Sequence, residues 1–325
     1  MKRVLIVVVL VSLGAAAWFF ARPKPLVGAV YCAERKVTIW NRVAQVREPV
    51  TTVGYGERLG VVERRGANVR VRAANGAEGW IDQKYLMSDE LWQRGQELRG
   101  RAAQLKPQAL GTTKVATNVR AEPGRDGAKL YQFSADVKVE VLERKIAEWS
   151  QPVGGAGERD AATESGTGTV SSAFPEKRNE DWLFVRGIGA DGEIAGWVLG
   201  RFLAMDYPAP LRDYASGIRF VAWFELTATL SPEGPRPTYV AFGVDGPEGD
   251  PCDFTLLRVY SWNPRRSRYE TAYVEGALCG RLPVEVQSSA DVQKEAFFRF
   301  TNVMKKGDEA RVYRSFQNVV RRVRK

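Results

Sequence analysis

Three cysteines and no histidine set the limits of the chemistry open to this chain of 325 residues. Without histidine there is no general base with a near-neutral pKa and no Ser-His or Cys-His nucleophile pair. The commonest zinc ligand is missing too. Cys32, Cys252 and Cys279 are too few to build a cysteine-rich metal site, so neither a metal nor a cofactor is expected. Paired carboxylates or a Ser-Lys couple remain open in principle. Nothing in the C-terminal region, however, singles out two of its acids; Glu225, Asp245 and Asp253 are simply present. No catalytic residue is assigned, and binding chemistry is what remains. Tyr55, Trp80, Tyr85, Tyr131, Trp197 and Phe202 are the candidate ligand contacts, because an aromatic ring offers a broad apolar face and, in Tyr and Trp, a polar handle. Around them stands a cationic excess of 48 Lys+Arg over 38 Asp+Glu, a net charge of +10. That excess favours acidic partners without defining a site for one.

Two of these aromatics sit in a phrase that the chain writes twice. Residues 79–86 read GWIDQKYL and residues 196–203 read GWVLGRFL, with the aromatic, aliphatic and basic positions in register. Upstream of each lies an alternating segment, Val69-Arg70-Val71-Arg72 and Leu183-Phe184-Val185-Arg186, which has the period of a half-buried strand. A Gly-containing turn follows each one, Ala74-Asn75-Gly76 in the first case and residues 189–192 in the second, so a hairpin is predicted in both. Further back, LGVVER at 59–64 stands against VEVLER at 139–144, and Val46-Arg47-Glu48-Pro49 is set against Val119 to Pro123. Five short strands with tight turns predict a small barrel in each copy. Trp80 and Trp197 would fill the barrel or its rim, while Gly79 and Gly196 would allow close strand packing.

The second copy opens Asn118-Val119-Arg120-Ala121-Glu122-Pro123-Gly124, which resembles the N-V-R-x-x-P opening of the bacterial SH3 domain. The resemblance covers residues 36–88 and 113–205, a little under half of the chain. The first copy departs from it: Val43-Ala44-Gln45 replaces the usual opening residues, and the loop before Leu59 is short. Bacterial SH3 domains typically sit on exported proteins and often bring them to peptidoglycan. The resemblance therefore implies two SH3-like barrels and a cell-wall ligand.

Other segments fill out a mainly β chain. Ser88 caps a predicted helical linker over 89–107 that Pro107 stops, with Leu91, Leu98 and Leu105 seven apart; it is expected to dock on a neighbouring barrel rather than form a coiled coil. Residues 148–181 form an insertion whose centre lacks large apolar side chains and is predicted to be a flexible loop. From 206 to 325 a C-terminal antiparallel β domain, a sandwich or an open barrel, is predicted from segments at 218–230, 238–244, 254–262, 268–275, 296–303 and 310–320. Cys252 and Cys279 lie in it and could pair in an oxidising compartment. Arg321, Arg322, Arg324 and Lys325 form a basic surface tail.

Export follows from the first 25 residues, where an uncharged apolar run at 4–20 follows Met1-Lys2-Arg3. It reads either as a retained anchor in the inner membrane, with Trp18-Phe19-Phe20 as an interfacial belt, or as a signal peptide cleaved after Ala15-Ala16-Ala17. The protein would then sit on the periplasmic face of the cytoplasmic membrane, or be periplasmic or secreted. Tyr31 before Cys32 argues against lipidation. The expectation is a non-catalytic, envelope-anchored binding protein for peptidoglycan or another anionic envelope polymer. A structural or assembly subunit with envelope protein partners is the alternative, and a carboxylate-pair cell-wall hydrolase ranks below both. Nucleic acid is not an expected partner, since export removes it.

Overall fold

The computed structural model describes residues 25–150, 177–214, 217–289, 291 and 294–323. The apolar run at 4–20, the centre of the insertion, and Arg324 and Lys325 lie outside the described residues. The described residues are mainly β, arranged in four antiparallel sheets. It divides after Trp92 into two compact units. Among the described residues no helix is long and apolar enough to cross a membrane.

The first unit is a seven-stranded sheet. Its strands are β1 (Gly28–Cys32), β2 (Val37–Trp40), β3 (Pro49–Val53), β4 (Arg58–Arg65), β5 (Asn68–Arg72), β6 (Glu78–Asp82) and β7 (Leu86–Ser88), in the order β3-β2-β6-β5-β4-β1-β7. Alternation does the sorting. Ile39, Leu59, Val61, Val69, Val71 and Ile81 turn inward to one core; their neighbours in β5 are more exposed, whereas β4 is buried continuously from Leu59 to Val62. The sheet reaches back to Gly28, ahead of the expected start at 36, because Val30 and Cys32 belong to that core. The Cys32 thiol is buried and donates to the Glu34 carbonyl. Trp92 closes the unit by stacking on Tyr31, with ring centroids 4.8 Å apart.

Trp92 belongs to α1 (Asp89–Gln104), which begins where Ser88 Oγ accepts the Leu91 amide and Asp89 and Glu90 fill the first turn. The Glu90 carboxyl is held below its ordinary value by its own backbone N–H, with the Ser88 hydroxyl second. From Gln93 onward α1 belongs to the second unit, where Leu98 and Ala102 are buried and Arg101 lies 5.0 Å over the Phe184 ring.

The second unit opens with a sheet of β8 (Ala109–Thr113), β9 (Thr117–Arg120), β10 (Lys129–Phe133), β11 (Lys138–Ser150), β12 (Lys177–Gly189), β13 (Gly192–Leu199) and β14 (Leu203–Met205). Its order, β10-β9-β13-β12-β11-β8-β14, repeats that of the first sheet strand for strand. The expected loop at 148–181 needs correcting at both ends. β11 and β12 run on as a paired ladder from Glu148 opposite Asn179 to Ser150 opposite Lys177, so 148–150 and 177–181 are strand.

Two four-stranded meanders complete the unit: β15 (Arg219–Ser231), β16 (Gly234–Val244), β17 (Leu256–Asn263) and β18 (Arg268–Glu275), then β19 (Gly280–Gln287), β20 (Ala296–Asn302), β21 (Glu309–Phe316) and β22 (Val319–Val323). Their inner faces share one apolar core, in which Phe242 meets Phe254, Phe298 and Phe300 edge-on. A disulfide joins Cys252 to Cys279. Two expectations change here. The strand β19 was not predicted, because Pro283 interrupts its pattern. The single strand expected at 310–320 is a hairpin, turned at Gln317 and Asn318, both at positive φ. Arg321 and Arg322 are therefore strand residues, and Arg322 pairs with Glu309.

Candidate functional site: an aromatic and cationic groove

In both repeated sheets the Gly-Trp strand crosses the end of the second strand. Trp80 pairs with Trp40 in the first sheet, and Trp197 pairs with Arg120 in the second. On the other side, Trp80 lies opposite Arg70, and Trp197 lies opposite Phe184. The loops that follow are closed alike, Asn41 N–H to the Glu48 carbonyl and Ala121 N–H to the Ala128 carbonyl. The true counterpart of Asn118-Val119-Arg120 is thus Thr38-Ile39-Trp40, and residues 41–48 match 121–128. Val46 to Pro49, set against Val119 to Pro123 on sequence, lies instead in that exposed loop and the start of β3.

The consequence is an open groove in the first unit, about 440 Å³ in volume. Trp40, Trp80 and Tyr85 supply its rings, all half-buried, and Thr38 and Asn68 add hydroxyl and amide groups. Four cations line it. Arg42 and Arg47 come from loop 41–48, Lys36 from just before β2, and Lys84 from the 3-10 turn Gln83–Tyr85. The Arg47 guanidinium lies 4.1 Å over Trp40, and the Lys84 ammonium 4.8 Å over Tyr85. Asp82 caps the turn by accepting the Lys84 amide at 2.9 Å and pairs with its ammonium at 3.2 Å. That amide, above all, holds the Asp82 carboxyl below its ordinary value, and Asp82 in turn raises Lys84. Both stay charged across the physiological range. Among the described residues Lys36, Arg42 and Arg47 have no carboxylate within pairing distance.

Of the six aromatics read from sequence, the structure brings Trp80 and Tyr85 together in this groove. Tyr55 lies elsewhere, edge-on to Trp92. Trp197 and Tyr131, expected to meet ligand, are only 2% and 3% exposed. Trp197 packs on Phe184 beneath Lys145, and the Tyr131 hydroxyl donates to Asp191. Phe202 is half-buried beside Arg201. Trp40 was missed. The carboxylates Glu225, Asp245 and Asp253 each serve a different partner: the Tyr239 hydroxyl, the Thr255 hydroxyl and the Arg144 guanidinium.

No family model matches the chain, and no curated protein matches it. Among solved structures, an NlpC/P60 family protein from Bacillus cereus is 14% identical, with a TM-score of 0.22 over 58% of this chain and 62% of that one. The likeness therefore spans less than two thirds of that protein's length.

Proposed function

We propose that the chain is a non-catalytic, exported and envelope-anchored binding protein whose two repeated sheets are bacterial SH3-like barrels. Its ligand is peptidoglycan or another anionic envelope polymer, taken in the groove of the first barrel. The observation that carries this reading is the meeting of Trp40, Trp80 and Tyr85 with four cations in one open groove. Rings of this kind cover the apolar faces of sugars, and the cations complement their acidic substituents. The hydrolase reading has less behind it, since the three carboxylates noted in the C-terminal region are engaged separately. An assembly role draws support from a second groove of about 580 Å³ in the second unit, flanked by the exposed side chains of Leu110 and Ile188.

The test is co-sedimentation of the full chain with purified peptidoglycan at low and at high salt. Binding should persist at the higher salt, where bare charge attraction is screened. Trp80→Ala should weaken it about tenfold, equivalent to ~1.4 kcal/mol. Trp197→Ala should instead cost about 3–5 kcal/mol of stability, as large core truncations do. No sedimentation at either salt, or equal binding by parent and Trp80→Ala, would sink the proposal.

A further inference from the structure

The second barrel carries its own occupant in the place where the first is open. The end of β12 brings Glu180 to the mouth of loop 121–128, where its carboxylate is 1% exposed. Arg125 of that loop grips both oxygens, Nε at 3.0 Å and Nη2 at 2.9 Å. Arg201, from the 3-10 turn Gly200–Phe202, approaches to 3.3 Å. The Trp149 ring lies beside it under two guanidinium groups, 4.4 Å from Arg125 and 4.6 Å from Arg178. A carboxylate between a loop arginine and a 3-10 cation, with an indole alongside, is a complete recognition set of charge-assisted and stacking contacts.

Each cationic arm of that set has a counterpart in the first barrel. Loop 41–48 supplies Arg42 and Arg47, and Lys84 holds the middle of the 3-10 turn as Arg201 does. What the first barrel lacks is a carboxylate on its loop arginines: Asp82 pairs with Lys84, and Glu34 lines the groove without pairing with Arg42 or Arg47. Trp80 faces Arg70 where Trp197 faces Phe184. Four residues back from Phe184 is Glu180, and four back from Arg70 is Gly66, already in the turn between β4 and β5. We infer that the first groove is a carboxylate seat, completed from outside by an acidic group of a glycan chain, whereas the second is filled from within by Glu180 and takes no such ligand. The inference rests on the proposed groove and names the chemical class of its ligand; it also assigns one such site among the described residues.

The probe is polygalacturonate, compared with its methyl ester, which keeps the sugar backbone and removes the charge. Titration of the full chain, read by calorimetry, should show the acid form binding about tenfold or more tighter than the ester. Arg42→Gln with Arg47→Gln, both on an exposed loop, should abolish that difference. Arg265→Gln with Arg266→Gln, an equal charge loss on the exposed β17–β18 turn, should leave it intact. Equal binding of acid and ester, no binding of either, or equal losses in the two double variants would overturn the inference. Binding of polygalacturonate by a chain that fails to sediment with peptidoglycan would sink the peptidoglycan reading alone.

Discussion

A Cβ placed on Gly79 would sit 2.5 Å from the carbonyl oxygen of Trp40, and one on Gly196 would sit 2.8 Å from that of Arg120. The glycine of the repeated phrase is there for the crossing of two strands. Ile39 and Val119 crowd the same two spots at 2.6 Å, so there is no side to which a methyl group could turn. Backbone on one side and core on the other leave little room to relax. Gly79→Ala and Gly196→Ala should therefore each destabilise their own sheet by about 1–3 kcal/mol, the cost of overpacking a close-packed site. Chemical denaturation followed by tryptophan fluorescence reads this directly. An unchanged midpoint in both variants would show that the strands part without cost.

The repeated phrase made the two sheets legible from sequence because its glycine and tryptophan answer to one geometry. The register of the first copy was not legible from Val46-Arg47-Glu48-Pro49, a motif-like stretch that happens to fall in an exposed loop. A better signal was present. Trp40 lies nineteen residues before Leu59, as Arg120 lies nineteen before Val139, so counting back from the matched LGVVER and VEVLER strands finds Trp40 without a gap. The fate of the second tryptophan was not so readable. Trp197 is buried because Phe184 and Lys145 lie against it, and those contacts depend on neighbours set by tertiary packing. Polar composition likewise hid the ends of β11 and β12, whose last paired residues present few apolar side chains. The turn at Gln317 and Asn318 lacks the glycine that announces a hairpin.

Within the second unit the guanidinium of Arg144 is 3% exposed and ties β11 to the segment around the disulfide. Nη1 donates to Asp253 Oδ1 at 2.9 Å and to the Cys252 carbonyl at 3.3 Å. Nη2 donates to Asp181 Oδ1 at 2.5 Å and to the Asp250 carbonyl at 2.8 Å. Asp181 also accepts the Gly249 amide, so the cluster reaches the β16–β17 connection from both sides. Removing the cation alone leaves the two buried carboxylates with only the more distant Arg219, 3.5 Å from Asp181, and Arg281, 3.8 Å from Asp253. Arg144→Met should cost about 3–5 kcal/mol for that reason, and replacing Asp181 and Asp253 by Asn in the same chain should recover part of it. Denaturation midpoints of the single and triple variants measure both effects. A triple variant no more stable than the single would show that shape, rather than charge, is what Arg144 supplies.

Strong base should attack the C-terminal sheets at a definite place. Glu275 accepts hydrogen bonds from the Tyr273 hydroxyl at 2.7 Å, the Tyr313 hydroxyl at 2.9 Å and Arg311 Nη1 at 2.8 Å. Burial first, and the neighbouring carboxylate second, push Tyr273 up to about 12 and Tyr313 higher still. Both phenols are held neutral in the folded chain, while an unfolded tyrosine ionises near ~10. A group whose pKa is raised by folding stabilises the fold below the unfolded value and loses that contribution as pH climbs toward the folded one. Stability should accordingly hold up to about pH 10 and then fall steadily toward pH 12. Denaturant midpoints across that range, taken with phenolate absorbance, follow the loss. Replacing both residues by Phe removes their share and should make the decline shallower, while Tyr239, Tyr260 and Tyr269, which burial also pushes up, keep the remainder. An equally steep decline in the double Phe variant would place the alkaline weakness elsewhere in the chain.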